Sequence, residues 1–202
     1  MPSFGELTTD FLDAEFEDSP VRASQLGLTE YDDRLDDLSE AAFERRSASD
    51  ATWLEAFRAV GDDALGFDER IDRDLVISTL RGRQIVDDFD VWRRQPDVYL
   101  NPGMSGIFTL FLHRLRPIEQ LVDSAVARMR LIPGNLEDGK RNLRPEMVPS
   151  IFLDRAANQA RAGARYVREI LPSQVEDDAL RPALAEAGAA AASAYEDYVA
   201  FL

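Results

Sequence analysis

Apolar residues recur at three- and four-residue spacing almost throughout this chain, and prolines and glycines interrupt them at short intervals. A period near 3.6 suits an α-helix and cannot be laid on a strand, whose side chains alternate with a period of two. The pattern therefore predicts an all-α protein, a multi-helix bundle of about six to eight helices joined by Pro/Gly-punctuated loops. Phe4, Leu7, Phe11, Leu12 and Phe16 mark a first helix closed by Ser19-Pro20. Pro20 to Gly27 reads as one or two turns ending at a glycine suited to the left-handed C′ position. Ser39 is placed to cap a helix over Glu40 to Val60, and Asp68 to cap the next. Ile107 to Leu112 reads as a buried helix, Pro117 as a helix start, Pro133-Gly134 as punctuation and Pro149 as a further start.

Two stretches carry sharper expectations. From Asp68 to Arg94, the residues Ile71, Leu75, Ser78, Gly82, Ile85, Phe89 and Trp92 step by four and three, which predicts a core-facing seam with a close helix crossing at Gly82. A second face runs through Phe152, Ala156, Gln159, Gly163, Val167 and Ile170. The last segment is alanine-rich and closes on Tyr198-Val199-Ala200-Phe201-Leu202 without a cap. It reads as a helix interrupted partway, with Tyr195, Tyr198, Phe201 and Leu202 expected to face water. Residues 1–202 are read as one helical domain, the front of a longer chain.

The formal charge is −15 and the isoelectric point near 4.5. A phosphate backbone repels such a chain, so nucleic acid is not an expected partner. No run of about 18 apolar residues occurs, so no membrane span is expected. The first half carries 25 acids against 11 bases, whereas Arg128 to Arg168 carries nine bases against four acids. Docking of the acidic half on this basic stretch is the simplest use of that asymmetry; an acidic face for an outside partner is the other. There is no cysteine, which removes disulfides, thiolate catalysis and thiolate metal sites, and a cytoplasmic location is expected.

Catalytic motifs are equally sparse. A zincin helix needs two histidines one turn apart with a glutamate between them, and this chain has one histidine, His113. A G-x-S-x-G elbow and both glycine-rich phosphate loops are missing. His113 follows an apolar run and is expected to be partly buried and hydrogen-bonded. Aspartate doublets recur without the spacing of a calcium loop. The sequence therefore predicts no catalytic residue, no metal ligand and no cofactor in this chain.

One loop stands out from this background. Leu26-Gly27-Leu28, then Tyr31-Asp32-Asp33-Arg34-Leu35-Asp36-Asp37-Leu38-Ser39, sets an aromatic, an arginine and leucines at fixed offsets, as a loop positioned for docking or binding does. Together with Pro20-Val21-Arg22-Ala23-Ser24-Gln25, it resembles the amino-terminal region of the bacterial DUF885 family. Further matches follow in the same order: Ile71-Asp72-Arg73-Asp74-Leu75, Trp92-Arg93 with Asp97-Val98-Tyr99, Pro117, Arg128 to Pro133 with Leu136, and Asn142-Leu143.

The resemblance implies the helical front of a longer zinc metallopeptidase-like hydrolase of the gluzincin type. The family's H-E-x-x-P-G-H-H type signature has no counterpart here, so zinc is expected only in the full-length protein. Such a segment would form one wall of a cleft for short peptides or similar small substrates, with Tyr31, Asp32, Arg34, Tyr99 and Asn101 as the cleft candidates. Its partner would be the remainder of the enzyme or a second chain. The alternative is a stand-alone acidic interaction module.

Overall fold

The structure, a computed structural model, describes residues 3–202. Among them there is no strand, and the helices are α1 (Phe4–Asp18), α2 (Pro20–Gln25), α3 (Glu40–Arg58), α4 (Phe67–Asp87), α5 (Val91–Arg94), α6 (Asn101–His113), α7 (Ile118–Asn142), α8 (Ser150–Arg165), α9 (Leu171–Ser173) and α10 (Arg181–Phe201). A π-helical turn, Tyr166–Ile170, joins α8 to α9. The all-α expectation holds. Gly27 follows α2 with φ of 98°, the left-handed conformation anticipated for it, and Ile107, Leu110 and Phe111 are buried within α6. The helices pack as two compact units, one formed by residues up to Asp18 with Glu40–Val91, the other by Ser19–Ser39 with Trp92–Leu202.

In the first unit, α1, α3 and α4 enclose Phe11, Leu54, Phe57 and Leu80, with Phe4, Leu7, Trp53, Val76 and Ile77 packed around them. The aromatic rings meet edge to face, Phe11 on Phe57 at 5.3 Å and Phe11 on Trp53 at 5.6 Å. Arg83 binds both carboxylate oxygens of Glu15 and reaches Asp50 at 3.2 Å. Burial pushes the Asp50 carboxyl above its ordinary range, while the Arg83 guanidinium holds it down.

The predicted seam on α4 is not the buried face. Ile71 is 52% exposed, Leu75 63%, Ile85 60% and Phe89 60%, and a Cβ on Gly82 would meet nothing within 4 Å. The helix also stops at Asp87, and Asp90 turns left-handed before α5. Arg73, Val76, Ile77, Leu80 and Arg83 face the core instead. Hydropathy assigns Arg73 and Arg83 to solvent. Here their stems lie along the core, while their heads reach Asp62 at 2.8 Å, the Val60 carbonyl at 2.8 Å, and Glu15. Asp68 does not cap α4 either: Gly66 occupies that position, and its N–H is held by Glu69 at 2.8 Å.

The second unit is built on α7. Leu121, Val122, Ala125, Met129, Ile132 and Leu136 are buried along it. Pro133 does not end this helix as the sequence predicts; α7 continues to Asn142. Burial of Met129, Ile132 and Leu136 on either side of the proline offsets its missing hydrogen bond. The small residues Ala187, Gly188, Ala191 and Ala192 let α10 lie close against α7 and α8. Tyr195 and Tyr198 are 1% and 0% exposed, which corrects the expectation that they face water. The Tyr198 hydroxyl donates to the Pro96 carbonyl at 3.0 Å, and its ring stacks on Phe201, itself 44% exposed.

Glycines define the tightest crossings. A Cβ on Gly188 would stand 2.4 Å from the Val167 carbonyl oxygen in the π turn, and one on Gly139 would stand 2.7 Å from the Tyr99 ring. Gly188 is therefore fixed by backbone, which cannot rotate away. Gly188→Ala is expected to lower the melting temperature sharply, since overpacking of this kind costs about 1–3 kcal/mol or more. Gly82→Ala, in open space, is expected to raise stability by about 0.5–1 kcal/mol through helix propensity. Thermal melts of the two variants test both assignments; an unchanged or raised melting temperature for Gly188→Ala, or a lowered one for Gly82→Ala, would refute them.

Candidate functional site

α7 carries three polar side chains on one stripe, Arg128, Asn135 and Asn142, seven residues apart and hence nearly in line. Arg128 is fully buried. Its Nε donates to the Arg34 carbonyl at 2.9 Å, Nη1 to the Gly106 carbonyl at 2.5 Å and Nη2 to the Tyr31 carbonyl at 3.1 Å. Asn135 donates to the Asp36 carbonyl at 3.2 Å, and buried Asn142 to the Leu38 carbonyl at 2.9 Å. Arg128 clasps a turn in which the Arg34 N–H donates to the Tyr31 carbonyl at 3.2 Å, and Asn135 and Asn142 take the irregular residues that follow it. The loop thus runs along α7 and is fastened through its own backbone.

Backbone fastening leaves the loop's side chains to other tasks. Asp32 is buried and accepts from the Ser24 hydroxyl at 2.6 Å, with Arg116 at 3.7 Å on its other oxygen. Arg34 stacks its guanidinium over the Tyr31 ring at 5.0 Å. Asp36 accepts the Val21 N–H at 3.1 Å, tying the loop to the start of α2. Burial pulls the Arg128 guanidinium down to about 10, and Asp32, Asp36 and Asp33 oppose that pull, so it remains a cation at neutral pH. The acidic loop from the first half of the sequence does lie on the basic stretch that begins at Arg128.

Beside the loop lies an open polar pocket of about 340 Å³, lined by Thr29, Glu30, Asp32, Asp33 and the α7-side residues Arg116, Gln120, Asp123 and Ser124. Four carboxylates and one guanidinium line it, so its field favours a cationic group. Of the five sequence candidates, Tyr31, Asp32 and Arg34 share this loop, and Asp32 alone of them lines the pocket. Tyr99 lies elsewhere: it is 2% exposed, donates to the Trp92 carbonyl at 2.6 Å and packs on Gly139 of α7. Asn101 is exposed at the first turn of α6, where its carbonyl accepts the Ser105 hydroxyl at 2.8 Å. His113 is exposed on the last turn of α6 rather than partly buried, because the buried face of that helix runs through Gly103, Ile107, Leu110 and Phe111. Sequence reading missed Arg128, Asn135 and Asn142. The available signal was their seven-residue spacing along one helix.

Among the described residues no group of three or more His, Asp or Glu side chains is placed to hold a metal ion. Nor is any helix among them long and apolar enough to cross a membrane.

Replacing Arg128 tests the fastening. Arg128→Lys keeps the charge but presents a point ammonium where three carbonyls require a planar fork. Arg128→Met strands all three, and each substitution is expected to lower stability by about 3 kcal/mol or more in urea denaturation. Asn142→Leu, leaving one carbonyl unpaired, is expected to lower it by about 1–2 kcal/mol. A lysine variant with an unchanged midpoint would contradict the geometry.

Residues 20–202 match the family model described as bacterial protein of unknown function, DUF885. No curated protein matches the chain. A solved structure described as "a putative lipoprotein of unknown function from Shewanella oneidensis" is similar over 99% of this chain, with a TM-score of 0.85 and 21% identity. This chain spans 37% of the length of that one, and the likeness is one of fold.

Proposed function

The chain belongs to the DUF885 family, and on that premise we propose that it is the helical, cleft-forming part of a longer metallopeptidase-like hydrolase and holds no catalytic centre itself. The observation that carries the reading is that the same fold makes up 37% of a longer chain. A wall of this kind must present residues at a fixed position, and the loop pinned to α7 supplies such a surface with little reorganisation. The acidic pocket beside it suits the ammonium group of a short peptide, held by Asp32 and its neighbouring carboxylates while Arg116 limits the negative field.

Zinc does not fit this chain's own donor set. A protein zinc site takes three or four nitrogen, sulfur or carboxylate ligands converging on one point. His113 is exposed at the end of α6, and among the described residues no triad of such side chains surrounds it. Zinc ligands and the catalytic base would come from the remainder of the enzyme, and no chemical step is assigned to residues here. We place the protein in the cytoplasm, in keeping with the lack of cysteine in this segment.

One observation favours a second reading. The exposed apolar residues Phe67, Ile71, Leu75, Ile85 and Phe89, set among carboxylates on and after α4, would suit a stand-alone interaction module.

Metal analysis separates the readings. The purified 202-residue chain, dialysed against zinc and then buffer, is expected to retain well under one zinc per molecule and to leave short peptides intact. A full-length protein carrying this segment is expected to hydrolyse them and to stop when a chelator is added. Stoichiometric zinc held tightly by this chain would overturn the proposal, as would a chelator-resistant or inactive full-length protein.

A further inference from the structure

The apolar row on α4 is used neither by the core nor by the peptide-facing pocket. Ile71, Leu75, Ser78, Gly82, Ile85 and Phe89 step by four and three without a break, and all six are exposed. The core takes the other face of the helix, through Val76, Ile77 and Leu80. Exposed apolar residues scattered singly are ordinary, but these stand in one line, and Ile71 to Ile85 alone spans about 21 Å. An alternation of four and three is also the spacing by which one helix meets a second at a shallow, left-handed crossing.

The middle of the row is thin. Glycine weakens an exposed helix interior, and Gly82 has neither a left-handed backbone to require it nor a neighbour that a Cβ would strike. With Ser78 it leaves a notch between Leu75 and Ile85 that a large side chain of another helix would fill. The border of the row is acidic. Asp72, Asp74 and Asp88 flank it and Asp68 stands at its head, against one flanking arginine, Arg81. The unit as a whole, residues 1–18 with 40–91, carries 19 acidic against 7 basic side chains.

We propose that this row docks an amphipathic helix of a separate protein, apolar at the same four-and-three spacing, with a large residue facing Gly82 and lysine or arginine on both borders. The inference rests on the second reading above, whose surface it supplies with a partner, and not on the peptide-facing pocket. Charge complementarity selects a basic helix, and the same carboxylates repel an anionic lipid surface. A second copy of the chain fits poorly. It would bring two strongly acidic units together, and in either orientation the thin middles would face each other while Leu75 and Ile85 hold the helices apart, leaving a void. The acidic border also keeps the row wetted when it is empty, which suits a partner that comes and goes. A face covered permanently is more apolar.

The experiment is fluorescence anisotropy of a labelled synthetic helix of about 21 residues, or three heptads, with leucine along its seam, phenylalanine facing Gly82 and lysine on both borders. Saturable binding of one peptide per chain is expected, weakening as salt is raised. Gly82→Leu fills the notch from open space, and Leu75→Gln removes an apolar contact at an exposed position, so both keep the fold. Each is expected to weaken binding about tenfold with an unchanged circular dichroism spectrum. A peptide of the same composition with its spacing scrambled is expected to bind at least about tenfold more weakly. Equal binding of the scrambled peptide, or unchanged affinity in both variants, overturns the proposal. So does sedimentation of the parent as a dimer that Leu75→Gln dissociates, which assigns the row to a second copy. Failure of a full-length protein, with chelator present, to bind the peptide also overturns it and assigns the row to the remainder of that chain. Hydrolytic activity of the full-length protein decides the stand-alone reading and is read separately from docking.

Discussion

A buried guanidinium on α7 governs the architecture of the second unit. Arg128 has no access to water, and its donors are spent on the backbone carbonyls of Tyr31, Arg34 and Gly106. Burying such a cation is expensive unless it is well hydrogen-bonded. Here each of its three nitrogens donates to a carbonyl, so α6 and the 31–38 loop cannot shift without stranding a charge. Gly106 follows from the same requirement, since a Cβ there would stand 3.2 Å from the guanidinium. Asn135 and Asn142 extend the fastening two turns at a time. The result is a loop with only tight local turns of its own, at Thr29–Arg34, that is nonetheless held along one face of a helix.

A second constraint acts where α10 packs against α7. There the close approach of α10 depends on small residues, and Gly188 admits the Val167 carbonyl that the π turn directs outward. Tyr195 and Tyr198 fill the space between α10 and its neighbours. Tyr198 finds the Pro96 carbonyl, and Tyr195 finds none. The two tyrosines are three residues apart on one helix and both are buried, yet only one of the two hydroxyls is paired.

Helix class and most helix boundaries were legible because they rest on local periodicity and on proline and glycine chemistry. Gly27, Pro117 and Pro149 acted where local rules put them. The failures share one cause, which is tertiary contact overriding local preference. Pro133 is tolerated because buried neighbours hold α7 together around it. The apolar row on α4 lost the core to a row containing Arg73 and Arg83, whose ion pairs are formed by distant residues that no local window includes. Tyr195 and Tyr198 are buried because α10 folds against α7 and α8, a contact that end-of-chain composition does not encode. At the candidate site, the loop was visible as an unusual composition, but its anchor lies about a hundred residues away. The seven-residue spacing of Arg128, Asn135 and Asn142 was present in the sequence and gains meaning only once the loop is seen against them.

The fastening of the loop is tested most directly by amide hydrogen exchange. The N–H groups of Asp32 and Arg34 donate within tight turns, to the carbonyls of Thr29 and Tyr31. In a free loop such turns open readily, so their protection depends on the side chains of α7. In the parent protein these amides are expected to exchange as slowly as those of α2. In Arg128→Met they are expected to exchange fast while the amides of α1, α3 and α4 keep their protection. Fast exchange in the parent, or protection that survives the loss of Arg128, would contradict the account.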